Sequence, residues 1–123
     1  MMKQSSFIRR FGHALQGLKT VFLTEQSFRL HVFSACVVLL FAFVFQIKHY
    51  ELIVILLLIA AVFILEIINS IIERIVDAFK PRMHPIVKDV KDIMASAVLL
   101  MSVFSAIIGF LIFYPYILLL VLR

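Results

Sequence analysis

Five of the seven carboxylates in this chain fall between residues 66 and 92. Glu66, Asn69, Glu73 and Asp77 are separated by three, four and four residues. At about 100° per residue they lie at about 0°, −60°, −20° and +20°, one polar stripe on one helix face, with Ser70 on its border at about +40°. The residues between them are largely Ile and Val, so the stripe interrupts an apolar surface. An acid inside a membrane helix costs at least ~2.5 kcal/mol on insertion scales, and intramembrane carboxylates mark functional sites by default. Such a stripe needs partners, water or an ion. The alternative is a polar seam that glues helices together.

Beyond the stripe comes Pro81-Arg82-Met83-His84-Pro85, a turn by its two prolines. Lys88, Lys91 and Asp92 follow. Lysines beside carboxylates at a membrane surface suit a phosphate–Mg²⁺ complex, in which acids hold the metal and ammonium groups neutralise phosphate oxygens. Lys88 by itself reads as an anchor or an i,i+4 partner of Asp92. Lys91 and Asp92 adjoin the end of the stripe and belong to its chemistry. Upstream, Glu25 and Arg29 are one turn apart. Glu25 is either half of a local ion pair or a second metal ligand folded towards Glu73; spacing leaves both open. No phosphate-cradling G-x-x-x-x-G-K-S/T loop, protein-kinase motif, His/Cys metal cluster or serine-nucleophile motif is present. His31, at the start of the first apolar stretch, reads as an interfacial side chain.

The elements that must position these groups follow from composition. The chain has 123 residues, 64% hydrophobic and only 15% charged, with mean hydropathy +1.15. A soluble domain is about a quarter charged, and one this short cannot bury so much apolar surface. Lipid must therefore be the solvent for much of it, which excludes most soluble enzyme folds. A single cysteine, Cys36, excludes an internal disulfide. Apolar stretches at 30–47, 52–76 and 93–122 each approach or exceed the ~20 residues that span ~30 Å of hydrocarbon, and continuous Leu, Ile, Val and Phe favour helices over a barrel. Phe7, Phe11, Ala14, Leu15, Leu18 and Phe22 recur at steps of one to four residues within 1–29, predicting an amphipathic helix fit to lie along a membrane surface. The expected architecture is an all-α membrane protein: one surface helix plus three transmembrane helices, in a single domain.

Charge sets the expected orientation. Lys3, Arg9, Arg10, Lys19, Arg29, Lys80, Arg82, Lys88 and Lys91 flank one side, against Lys48 and Arg123 on the other. The positive-inside rule puts the N-terminus and the 78–91 connection in the cytoplasm, and the net charge of +5 then reports topology rather than nucleic-acid binding. If the second helix enters from outside near Leu52, Glu66 lies ~21 Å along it, just below the cytoplasmic headgroups, and Glu73 ~10 Å further, at the water interface. A lipid headgroup could meet the first carboxylate while a soluble cosubstrate meets the later ones.

The segment Glu66-Ile-Ile-Asn69-Ser70-Ile-Ile-Glu73-Arg-Ile-Val-Asp77 resembles the E-x-x-N-[ST]-x-x-E-x-x-V-D signature of the small prokaryotic integral-membrane diacylglycerol and undecaprenol kinases. His84-Pro85, Lys91-Asp92, His13-Ala14 with Gly17, Thr24-Glu25 with Phe28-Arg29, and Gly109 to Pro115 extend the likeness over residues 7–117. The resemblance implies a homotrimer with sites between subunits in the bacterial inner (plasma) membrane, transferring the ATP γ-phosphate to a lipid hydroxyl. It implies Glu66 as general base, oriented by Asn69, and Glu25 and Glu73 as holders of the nucleotide's Mg²⁺. It further implies His13, Asp77, Arg82, Met83, His84, Lys91 and Asp92 near ATP, and Arg29 with Glu66 near the lipid. The His13-Ala14 start and the Gly109-to-Pro115 ending resemble the Gram-positive branch, which favours undecaprenol over diacylglycerol. The rival is a non-enzymatic oligomeric pore or scaffold, but a pore would carry the stripe along the whole helix, and residues 52–65 hold no polar side chain.

Overall fold

The structure is a computed structural model that describes residues 2–79 and 84–123, with side chains described for 6–79 and 85–123. Four helices make up the described chain: α1 (Met2–Thr24), α2 (Gln26–Phe45), α3 (His49–Ala78) and α4 (His84–Val121). The last three are long and apolar enough to cross a membrane, with mean hydropathies of 2.2, 3.0 and 2.5.

The amphipathic segment expected over 1–29 ends as a helix at Thr24. Glu25 is extended (φ −109°, ψ 109°) and α2 begins immediately after it. Helical spacing alone does not reveal this break; the cap does. The Arg29 guanidinium donates to the carbonyls of Phe22 (2.8 Å) and Leu23 (2.9 Å), satisfying acceptors that a helix end leaves unpaired and placing a cation at its negative pole. The apolar stripe of α1, including Phe7, Phe11, Leu15 and Phe22, stays exposed, as a face meant for lipid or a neighbouring chain would.

A three-residue connection joins α2 to α3, so the two run antiparallel. Gln46 makes the turn in the left-handed region (φ 50°, ψ 55°). Glu51 then accepts the Lys48 backbone N–H (3.0 Å) to start α3. Along α2 the buried residues Phe28, Ala35 and Ala42 are seven apart, and along α3 Ile55 and Val62 repeat that spacing before Glu66 and Ser70 continue the buried line. The alanines let the two backbones approach. Phe28 meets Phe63 with ring centroids 5.4 Å apart.

Helix α4 packs mainly on α3. Tyr116 near its end donates to the Glu51 carboxylate at the start of α3, tying the far ends of the two helices together. Pro115 sits inside α4 without ending it. Because α2 and α4 both pack on α3 and scarcely on one another, a groove lies between them.

Candidate functional site

The polar stripe of α3 meets three different partners along its length: the start of α2 at Glu66, the α1–α2 junction at Ser70, and α4 at Asp77. Glu66 is only 4% exposed. Ser27 Oγ donates to its Oε2 at 3.0 Å, and His31 Nε2 lies 3.1 Å from its Oε1. Ser27 and His31 are one turn apart on α2, so a single helix face serves both oxygens.

One turn along α3, Ser70 is 2% exposed and donates to Glu25 Oε1 at 3.1 Å. Arg74 reaches the same carboxylate at 4.0 Å and donates to Thr24 Oγ1 at 2.9 Å and to Ser70 Oγ at 3.3 Å. The break between α1 and α2 is thus pinned onto α3, and the extended backbone at Glu25 is what turns its carboxylate there. Arg29 turns to the α1 carbonyls and Glu25 to Ser70 and Arg74 of α3.

Next to this junction, Asn69 Nδ2 donates to Glu73 Oε1 at 3.3 Å, and Asn69 Oδ1 is buried with no hydrogen-bond partner. The orienting contacts on Glu66 come from Ser27 and His31, while the Asn69 amide is directed at Glu73. Asp77 pairs with Lys91 Nζ at 2.5 Å across to α4. Asp92 and Lys88 form an i,i+4 pair at 4.0 Å, both well exposed. His13 is exposed on α1. Arg82, Met83 and the side chain of His84 lie outside the described residues. Ser27, His31 and Arg74 were not singled out as site residues from sequence. The i,i+4 pairing of Ser27 with His31 on a mostly apolar helix was the available signal.

Among the described residues no three His, Cys, Asp or Glu side chains form a metal-binding group. Mg²⁺ is characteristically held by one or two carboxylates together with substrate phosphates and water. Glu25 and Glu73 reach adjacent residues of α3, offer only oxygen donors, and are accompanied by the unmatched Asn69 carbonyl oxygen. That set fits such an ion.

His31 also borders the groove between α2, α3 and α4, which encloses about 470 Å³ and is lined by Ala35, Val62, Phe63, Gly109 and Phe113 among others. Its wall carries two hydroxyls, Ser102 and Ser105, that are buried without a partner.

The profile of the prokaryotic diacylglycerol kinases matches residues 12–113. The chain belongs to the prokaryotic diacylglycerol kinase family. The region matched to the family contains every candidate site residue from His13 to Asp92 and all of the groove but Ile117. Among its relatives, an undecaprenol kinase of Bacillus subtilis (strain 168) is 40% identical over 109 residues, covering 89% of each chain. A diacylglycerol kinase of Synechocystis sp. is 32% identical over 80% of this chain and 57% of its own length. A diacylglycerol kinase of Haemophilus influenzae is 32% identical over 65% of this chain and 68% of its own. With three apolar helices, this member of the family is a multi-pass membrane protein.

Proposed function

We propose that this chain is an ATP-dependent lipid kinase that transfers the γ-phosphate of ATP to the hydroxyl of a membrane lipid, with undecaprenol favoured over diacylglycerol. Its likeness to a relative named undecaprenol kinase over 89% of both chains supports that order. The observation that carries the reading is the placement of Glu66: a buried carboxylate held by two α2 side chains at the edge of an apolar groove, with Glu25 held one turn away at Ser70 and Glu73 two turns along α3.

In this reading Glu66 takes the proton from the lipid hydroxyl as its oxygen bonds to the γ-phosphorus and the bond from that phosphorus to the bridging oxygen of ADP breaks. Such transfers depend mainly on positioning and charge neutralisation. Glu25 and Glu73 are the residues that would hold Mg²⁺, which when bound offsets phosphate charge. Lys91, across from Asp77, together with Asp92, His13 and residues 82–84, borders the nucleotide, and Arg29 with Glu66 borders the lipid. The functional unit is a homotrimer in the bacterial plasma membrane with its N-terminus in the cytoplasm.

The test is phosphate transfer from labelled ATP by the purified protein in mixed micelles, with undecaprenol and diacylglycerol in parallel. Labelled lipid is expected, faster with undecaprenol. Glu66→Gln should lower turnover by about 10²–10⁴-fold, the range for a positioned general base, and Glu73→Gln should abolish use of Mg²⁺–ATP while keeping the oligomer. A well-formed oligomer that labels neither lipid would overturn the kinase reading and leave the scaffold or pore.

A further inference from the structure

We infer that the groove floored by α3 and walled by α2 and α4 seats the hydrocarbon chain of the lipid substrate, one chain at a time, and is what selects that chain. The inference rests on the lipid-kinase reading and adds to it the place where selectivity is decided. His31 forms the end of the groove with one side and touches Glu66 with its Nε2 at 3.1 Å. A hydroxyl presented to Glu66 therefore belongs to a molecule whose apolar part emerges at the head of the groove.

On α4 the groove residues run from Ser102 to Ile117, about 22 Å at 1.5 Å per residue. Ile55 is its deepest residue on α3, while His31, Ser34, Ala35 and Val38 line it from α2. This is a long trench of about 470 Å³, within the ~300–1,000 Å³ usual for small-molecule sites, and it is a single trench. Its walls are narrowed by no large side chain at Ala35, Ala106 or Gly109. A Cβ built on Gly109 would meet nothing within 4 Å, so the space beside it is open.

Lipid tails are at least as apolar as the groove, whose wall includes Ser102 and Ser105, so a chain leaving the bilayer for it gains no hydrophobic free energy. What the groove supplies is registry: a chain laid along it holds the hydroxyl at Glu66, and a misplacement of about 1 Å at a reacting centre can cost about 10²-fold. The groove should act on the rate with long chains far more than on general lipid affinity. A lipid with two acyl chains would leave one of them outside.

Gly109→Leu fills the middle of the trench and leaves its Glu66 end clear. In mixed micelles we expect it to lower kcat/KM for undecaprenol about tenfold or more, while kcat/KM for prenol, whose single isoprene unit ends short of Ala106 and Gly109, and KM for Mg²⁺–ATP stay at wild-type values. Gly109→Ala, which adds one methyl to open space, should stay close to wild type, and Ala106→Leu should repeat the effect of Gly109→Leu. Equal losses for the two alcohols, or no loss for either, would overturn the proposal. Loss of the oligomer by light scattering in Gly109→Leu would overturn it too, because the groove would then hold a helix of a second copy. If wild-type protein labels no lipid alcohol at all, it is the kinase reading that has failed; if wild-type activity is sound and Gly109→Leu is indifferent to chain length, only the groove has.

Discussion

A carboxylate that is 4% exposed must find hydrogen-bond donors or lose the free energy of its hydration. Glu66 finds them on α2: Ser27 on one oxygen and His31 on the other. Hydrogen bonds to charged groups contribute roughly 1.5–3 kcal/mol each. His31→Leu removes one and fills its volume with carbon, so turnover should fall by about 10- to 100-fold at 1.4 kcal/mol per tenfold. His31→Gln puts an amide N–H near the position of Nε2 and should recover most of that loss. KM for Mg²⁺–ATP should not change in either variant, because Glu25 and Glu73 take their contacts from Ser70 and Asn69 instead. Steady-state kinetics in micelles checks both. Equal behaviour of Leu and Gln at this position would show that His31 only fills space. The stripe containing Glu66 is legible in the sequence because i+3 and i+4 spacing is a local property. The hold on it is not, since Ser27 and Glu66 are 39 residues apart and only the packing of α2 on α3 joins them.

At the scale of elements, the three apolar helices could be read from hydropathy because lipid demands about 20 uninterrupted apolar residues. Their junctions could not. The α1–α2 break falls where Thr24, Glu25 and Gln26 offer neither Gly nor Pro; the contacts of Arg29 with α1 and of Arg74 with Thr24 and Glu25 determine it. The α2–α3 turn likewise uses Gln46, the sole positive-φ non-glycine among the described residues. The left-handed region costs an L-residue with a Cβ roughly 1–2 kcal/mol, and glycine returns part of that gain as unfolded-state entropy. Gln46→Gly should therefore stabilise the hairpin by up to about 1 kcal/mol. Kinase activity should be unchanged, since Gln46 lies at the opposite end of α2 from Ser27 and His31. The half-life of activity during heating in detergent measures this, and a shorter half-life would mean that the Gln46 side chain is needed where it stands.

For the whole molecule, surface area and charge both point beyond the single chain. A compact soluble monomer of 14.2 kDa exposes about 6,800 Å², whereas this chain exposes 9636 Å². Much of the excess is apolar: Phe33, Phe43, Leu57, Ile93 and Leu119 are each at least 66% exposed. Lipid must cover it, shared with neighbouring copies in the proposed homotrimer, for which light scattering with the detergent subtracted should report a trimer. Charge favours the proposed orientation of that assembly. Nine Lys and Arg residues flank the Glu66 side and two flank the other, with Arg74 inside α3 counted for neither; translocating basic residues is what the positive-inside bias disfavours. In a Cys36→Ser background, Lys48→Cys should be labelled by a membrane-impermeant maleimide in intact cells, and Lys88→Cys only after permeabilisation. Both side chains are exposed in the structure, so labelling reports the compartment rather than burial. The reverse pattern would place Glu25, Glu66 and Glu73 on the outer face, where no ATP is supplied, and a carboxylate site built for a nucleotide would have no phosphate donor to use.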